Sequence, residues 1–213
     1  MRPPIMSTLT IREAILAIAL ASTSGAAILA HTFAALPMAF TVPFIVIPSV
    51  FLLLGAMLAG RGRIAQLHLL AALLTVGTAA GTVATVAYDL IRLVLRWALG
   101  FSFNPFGAIP IFGQLMTGLS PAHPIALAAG IGYHFWNGIS FGMMFALVKP
   151  RGGALPGVVW GLGLAALMLV TYTYLLHINP EDPGFLTADF VGHGVWGVVL
   201  GVAVRAWGPY ARA

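Results

Sequence analysis

The chain contains no cysteine and very little charge. The absence of cysteine excludes disulfide bonds, thiolate metal sites and cysteine nucleophiles. Among the 213 residues only 7% are charged, whereas 60% are hydrophobic. A soluble domain of this size does not need such a balance to cover its surface. The composition therefore predicts an integral membrane protein whose main partner is the lipid bilayer.

The sequence also lacks a basic run. Its ten Lys and Arg residues bring the pI to about 10.3, a value that suggests nucleic-acid binding, but these residues are scattered along the chain. We therefore expect no nucleic-acid partner, and we interpret the basic residues as determinants of membrane topology.

Catalytic motifs are absent as well. The sequence has no His-Glu-x-x-His, no Gly-x-Ser-x-Gly and no phosphate-binding loop. Ser140, which follows His134, has no base at a helical step from it. We therefore assign no catalytic residue, and an enzymatic role ranks behind a binding or assembly role.

Six apolar segments are long enough, or nearly so, to cross a bilayer as helices. They lie at approximately 14–35, 42–60, 64–88, 124–148, 154–177 and 185–205, within one membrane domain that covers residues 1–213. The uncharged run after Ala14 is too long for a signal peptide, so we expect a retained first helix. Pro37 and Pro43 bracket the first loop. The predicted fold class is all-α, a polytopic transmembrane bundle of about six spans.

A cytoplasmic N-terminus would place most of the basic residues on the inner side, as the positive-inside rule requires. These residues are Arg2, Arg12, Arg61, Arg63, Lys149, Arg151, Arg205 and Arg212. Four of the five acidic residues, Asp89, Glu181, Asp182 and Asp189, then lie at or near the outer side. We therefore predict that both termini are cytoplasmic.

The predicted outer loop, 89–123, is the exception to this charge pattern because it contains Arg92 and Arg96. The stretch YDLIRLVLRWALGF at 88–101 predicts either a continuation of the third helix or an amphipathic helix on the outer surface. The uncharged segment that follows is rich in Phe, Gly and Pro. It predicts a re-entrant or cap-like loop rather than a seventh span, because a further span would overturn the charge asymmetry.

Three predicted helices carry small and polar residues at four-residue steps, which places them on one helical face. The three ridges are Gly77, Gly81, Thr85 and Asp89; Gly130, His134, Gly138 and Gly142; and Asp189, His193, Gly197 and Gly201. Small residues mark close approach of helices in lipid, so we expect these three faces to meet. The two histidine helices would be parallel neighbours, with both rings about 13 to 15 Å below the outer edge.

Ionisable groups at this depth are usually paired or beside water, which makes them functional candidates. We predict an outward-facing polar pocket that binds or translocates a small molecule, a lipid or a proton. Its ligand-binding residues would be His134, His193, Asp189, Asn137, Asp89 and Arg92.

The alternative interpretation of these residues is packing. Each histidine would donate a hydrogen bond to a neighbouring helix, Asp189 would stabilise the N-terminus of the last helix, and Asp89 would pair locally with Arg92. The chain would then be a non-catalytic assembly subunit whose partners are other membrane proteins or further copies of itself.

We expect no cofactor and no bound metal ion. Two histidines at equal depth permit axial ligation of a b-type haem, but the glycines below each histidine indicate backbones too close for a porphyrin. His134, His193 and Asp189 also offer a transition metal three ligands, without the His-rich loops or additional carboxylates of many metal carriers. Haem and metal therefore remain minor alternatives.

The second half of the chain has a distinctive order of turns and helices. A helix with a central histidine ends in VKPRGG, a Gly-rich helix ends in INPEDP, and DFVGHGVWGVVLGVAVR follows. This region, from about 130 to 207, resembles the bacterial YagU-type integral membrane proteins. The resemblance implies a multi-span helical protein of the bacterial inner membrane and draws attention to Asp189, His193 and Trp196.

Overall fold

A computed structural model describes residues 9–61, 64 and 67–211, and within these ranges every regular element is a helix. Arg2, Arg63 and Arg212 lie outside the described residues. The helices are α1 (Ile11–Ala34), α2 (Met38–Arg61), α3 (His68–Leu99), α4 (Ala108–Thr117), α5 (Pro124–Val148), α6 (Ala154–Leu175) and α7 (Pro183–Trp207).

Five of these helices, α1, α2, α3, α6 and α7, are long and apolar enough to cross a membrane. Helix α5 has 25 residues, a length of about 37 Å that would also cross, but His134 and Asn137 make it more polar. The predicted all-α membrane bundle is therefore confirmed, and the chain is a multi-pass membrane protein. The cytoplasmic location of its termini stays a prediction.

The ends of the predicted spans agree with the observed helices to within four residues, with one exception. Helix α3 continues to Leu99, which confirms the interpretation of the stretch at 88–101 as a continuation of the third helix, so residues 89–99 of the outer segment are helical. Helix α2 begins at Met38, so Pro43 lies inside a helix instead of bounding a loop. A π-helical turn at Val42–Val46 accommodates this proline, which has no N–H to donate.

The segment after α3 turns back along that helix. Gly100 adopts a left-handed φ of 65°, and Asn104 and Pro105 then accept hydrogen bonds from Arg96 and Arg92. Helix α4 follows; its 10 residues extend about 15 Å, half the thickness of the hydrocarbon core.

Helix α4 packs against the first half of α5. Gly113 contacts the backbone of Ala126, and Gly130 contacts that of Ile109. Because these contacts run in opposite order along the two helices, α4 and α5 are antiparallel. The segment therefore enters and leaves on the same side, which agrees with the re-entrant interpretation rather than a seventh span.

Helix α3 lies at the centre of the bundle and packs against both α5 and α7. The ridge of α3 meets that of α5, as expected: a Cβ at Gly142 would lie 2.5 Å from the Gly77 carbonyl oxygen, and one at Gly81 would lie 2.5 Å from that of Gly138. Close backbone approach therefore fixes this pair of helices.

The two glycines of the third ridge pack against a different helix. Gly197 and Gly201 of α7 pack against Gly157 of α6, not against α3 or α5. The expectation that all three ridges meet is thus wrong for these two glycines, whereas His193 of the same ridge does contact Tyr88 of α3. Helices α5 and α7, both described along their full length, barely touch each other, because α3 lies between them.

The described basic ends of the helices lie together. A buried cluster joins Ala17 of α1, Met57 of α2, Leu70 of α3 and Leu147 of α5. Arg151 stacks on Tyr210, and the backbone at Gly152 contacts Arg205. This end of the bundle, hereafter the basic end, is the one that the positive-inside rule assigns to the cytoplasm.

Candidate functional site

A cavity lies among α1, α3, α5, α6, α7 and the start of α4. Its free volume for water-sized molecules is about 90 Å³, several times what one ordered water requires. Its polar lining residues are Thr85, Tyr88, Arg92, His134, Asn137, Thr171, Tyr172, His193 and Trp196. We call it the histidine cavity. Four of the six predicted site residues, Arg92, His134, Asn137 and His193, line it, whereas Asp89 and Asp189 lie behind the two histidines.

His134 is held by a carboxylate of the neighbouring helix. Its Nε2 lies 3.1 and 3.0 Å from the two carboxylate oxygens of Asp89 on α3. One turn further along α5, Gly138 packs directly on Thr85. The small residue lets the two helices approach closely enough for this pair to form.

His193 is held by a carboxylate of its own helix. Its Nδ1 lies 2.9 Å from the Asp189 carboxylate and 2.9 Å from the Asp189 carbonyl oxygen. Both neighbours accept hydrogen bonds, so Nδ1 carries the hydrogen and Nε2 is left for another partner. Such a carboxylate fixes the orientation and tautomer of the ring.

Asp189 does not cap the N-terminus of α7, which is the role that the packing alternative gave it. Only 4% of this residue is exposed, and the N-terminus of α7 is capped instead by Asp182, which accepts from the N–H groups of Gly184 and Phe185. One oxygen of Asp189, Oδ2, is buried and has no partner among the described residues.

Tyr88 of α3 lies between the two imidazoles. Its ring centroid is 4.8 Å from that of His193 and 6.3 Å from that of His134. Each histidine follows the first residue of its helix by ten positions, or about 15 Å. The expected common depth agrees with this geometry, but the helices are not adjoining, because Tyr88 and α3 separate them.

Arg92 joins α3 to the re-entrant segment. Its guanidinium donates to Asp89 and to the Pro105 carbonyl, both at 2.6 Å, and it stacks 3.9 Å from the Tyr88 ring centroid. The local pair of Asp89 with Arg92 is thus present, as the packing alternative proposed. The residue is only 7% exposed, so it lies inside the protein rather than on its surface.

Two polar atoms at this cavity lack a partner. The Oδ1 of Asn137 and the Nε of Arg92 are buried and form no hydrogen bond with any described residue. A buried polar atom without a partner is unfavourable by about 1–3 kcal/mol, and native proteins rarely keep several in one place. A bound molecule or ordered water would satisfy both atoms.

A second cavity adjoins the first. It is lined by Asn104, Leu176, Ile178, Phe185 and Asp189, and it shares Tyr88, Arg92, Pro105, Ala108 and Tyr172 with the histidine cavity. These shared residues form a partition. The second cavity lies toward the end of the bundle opposite the basic end, where α6 ends and α7 begins.

Sequence reasoning missed Tyr88 and Tyr172. Tyr88 stands three positions after Thr85 and directly before Asp89, so it shares a helical face with the ridge. The four-residue spacing that defines the ridge does not include it. Tyr172 is far from the ridges in sequence and carried no signal for the site.

The geometry also bears on the two cofactor alternatives. Among the described residues, no group of three or more His, Asp and Glu side chains is arranged to hold a metal ion. The Tyr88 ring is next to both imidazoles, and the haem alternative stays a prediction.

Ser140 has a packing role. Its hydroxyl is fully buried and lies 2.8 Å from that of Ser24, which links α5 to α1.

The resemblance of residues 130 to 207 to YagU-type proteins remains an expectation. No family model, no curated protein and no solved structure matches the chain.

Proposed function

We propose that this membrane protein binds a small, partly apolar molecule in the histidine cavity. The observation that carries the proposal is the pair of buried, unpartnered polar atoms, Asn137 Oδ1 and Arg92 Nε, on the wall of one cavity. Together with the two imidazoles they form a few convergent polar groups in an otherwise apolar pocket, which is the usual character of a small-molecule site.

The remainder of the cavity suits the apolar part of such a molecule. Phe112, Phe141, Leu164 and Met168 line it. Leu167 lines it as well and is 41% exposed on the bilayer-facing surface. An apolar ligand would therefore have a lateral route from the lipid between α1 and α6.

Binding is better supported than translocation. Passage to the opposite side would require the partition of Tyr88, Arg92 and Tyr172 to open. Two hydrogen bonds and an aromatic stack hold Arg92 in that partition.

Asn137→Leu is the decisive variant. Leucine has nearly the shape of asparagine but no polar atoms, so we expect the variant to lose a co-purifying small molecule and to gain thermal stability, because a buried carbonyl oxygen without a partner is removed. Mass spectrometry of the native protein and of its organic extract, together with thermal unfolding in detergent, measures both effects.

The matched control is Ser24→Ala with Ser140→Ala, which removes a buried polar pair that is satisfied and whose two residues do not line the cavity. This control should keep the bound molecule. If Asn137→Leu lowers the stability and changes no bound molecule, Asn137 serves packing and the assembly-subunit alternative is correct.

We further propose a location in the bacterial inner membrane with both termini in the cytoplasm. The gathering of Arg12, Arg61, Lys149, Arg151 and Arg205 at the basic end supports this orientation. Reporter fusions after Gly100 and Arg151 should show an outer and an inner location, respectively. An inner location for the fusion after Gly100 would contradict the proposed topology.

A further inference from the structure

A groove separate from the histidine cavity lies on the bilayer-facing surface between α5 and α6, near the basic end. It is lined by Phe145, Val148, Lys149, Leu155, Pro156, Val159, Trp160, Gly163 and Leu164, and its free volume is about 520 Å³. All of these residues except Lys149 and Trp160 lack polar side-chain atoms, so the walls suit a hydrocarbon chain.

The groove ends in positive charge. Lys149 is the C-cap residue of α5, and Arg151 is exposed two residues further on. Neither forms an ion pair with any described carboxylate. Basic residues at the end of a membrane helix attract anionic lipid headgroups, at about 1 kcal/mol per residue, or roughly fivefold in affinity.

Trp160 places a hydrogen-bond donor beside the groove. Its indole N–H is buried and has no acceptor among the described residues. Tryptophan at this level of a membrane protein usually has one apolar end and one polar partner. A lipid ester carbonyl below a headgroup at Lys149 would supply that acceptor.

We propose that this groove is a binding site for an anionic phospholipid of the leaflet at the basic end. One acyl chain lies between α5 and α6, the phosphate contacts Lys149 and Arg151, and the indole of Trp160 donates to the ester region. The site is independent of the small-molecule function proposed above, because the two cavities share only Leu164.

Gly163 provides a variant that fills the groove without disturbing the bundle. A Cβ at this position meets no atom within 4 Å, so Gly163→Leu would occupy the space of the acyl chain. Gly132 of α5 is equally open and lies outside the groove. Gly132→Leu is therefore the matched control for adding leucine to a lipid-facing helix.

The experiment uses the full chain in phosphatidylcholine vesicles that contain a small fraction of a brominated lipid, whose bromine atoms quench tryptophan on contact. Brominated phosphatidylglycerol is compared with brominated phosphatidylcholine at equal fraction, and Trp160→Phe identifies the signal of the groove. We expect phosphatidylglycerol to bind more tightly and Lys149→Gln to reduce that preference about fivefold. Gly163→Leu should abolish it, whereas Gly132→Leu should retain it.

Three results would overturn the proposal. Equal quenching by the two lipids in the native chain would show that the groove does not select anionic headgroups. A preference that survives Gly163→Leu would show general attraction to the basic end rather than a lipid in the groove. A switch from dimer to monomer in Gly163→Leu, without lipid preference in the native chain, would show that a second copy covers this surface.

Discussion

Gly157→Ala is expected to lower the free energy of unfolding by about 3 kcal/mol, at the upper end of the usual range for overpacking a closely packed contact. A Cβ at this position would overlap the backbone of Gly197 on α7. Gly161 and Gly201 approach the facing backbone just as closely along the same contact, so α6 and α7 cannot adjust locally and must move apart as units.

The matched control lies on the same helix. Gly163→Ala adds the same methyl group where nothing lies within 4 Å. We expect it to be neutral or stabilising by up to about 1 kcal/mol, because alanine favours a helix over glycine. Thermal unfolding of both variants in one detergent, followed by circular dichroism, gives the comparison. Equal stability of the two variants would contradict the tight α6–α7 contact.

The effect should extend to the candidate site. Helix α7 carries both Asp189 and His193, and Gly161 packs on the carbonyl of His193 itself. Separation of α6 from α7 would therefore displace the histidine from Tyr88. A Gly157→Ala protein that remains folded should also lose the small molecule proposed to occupy the histidine cavity.

This contact shows what the sequence could predict and what it could not. Apolar length and turn residues were sufficient to locate the helices, because each bilayer crossing needs about 20 apolar residues. A glycine ridge identifies the face that packs but carries no information about the neighbour. The ridges of α3 and α5 do face each other, whereas Gly197 and Gly201 of α7 face α6.

The candidate site was predictable to a similar extent. The number of residues between each histidine and the start of its predicted helix placed His134 and His193 at one depth, and the structure places Tyr88 beside both rings. The separation of their helices by α3 could not be predicted, since helix order in a bundle depends on loops and packing. Two interpretations of the stretch at 88–101 stayed open because Asp89 and Arg92 look like surface residues, yet they neutralise each other inside α3.

Arg92→Met should have the second large effect, a loss of about 3 kcal/mol in unfolding free energy. Methionine retains most of the apolar contact with Tyr88 but removes the charge, so Asp89 loses its cationic partner and the Pro105 carbonyl loses its donor. Breaking a buried ion pair by removing one partner typically destabilises by 3–5 kcal/mol. We use the lower value because the Asp89 side chain is 20% exposed and keeps its contact with His134. Thermal unfolding in detergent provides the measurement.

Arg96→Met is the control for the loss of a positive charge on α3. Arg96 is exposed and its contact is a single 3.3 Å hydrogen bond to Asn104, so the variant should change stability by less than about 0.5 kcal/mol. Adding Asp89→Asn to Arg92→Met should recover at least about 1 kcal/mol, because the partly buried carboxylate that has lost its arginine is then absent. If the double variant is no more stable than Arg92→Met, the destabilisation comes from the lost attachment to Pro105, and the charge balance at the partition has little effect. Recovery would instead show that Arg92 stabilises the partition by neutralising Asp89 next to His134, as expected of paired ionisable groups at this depth of the membrane.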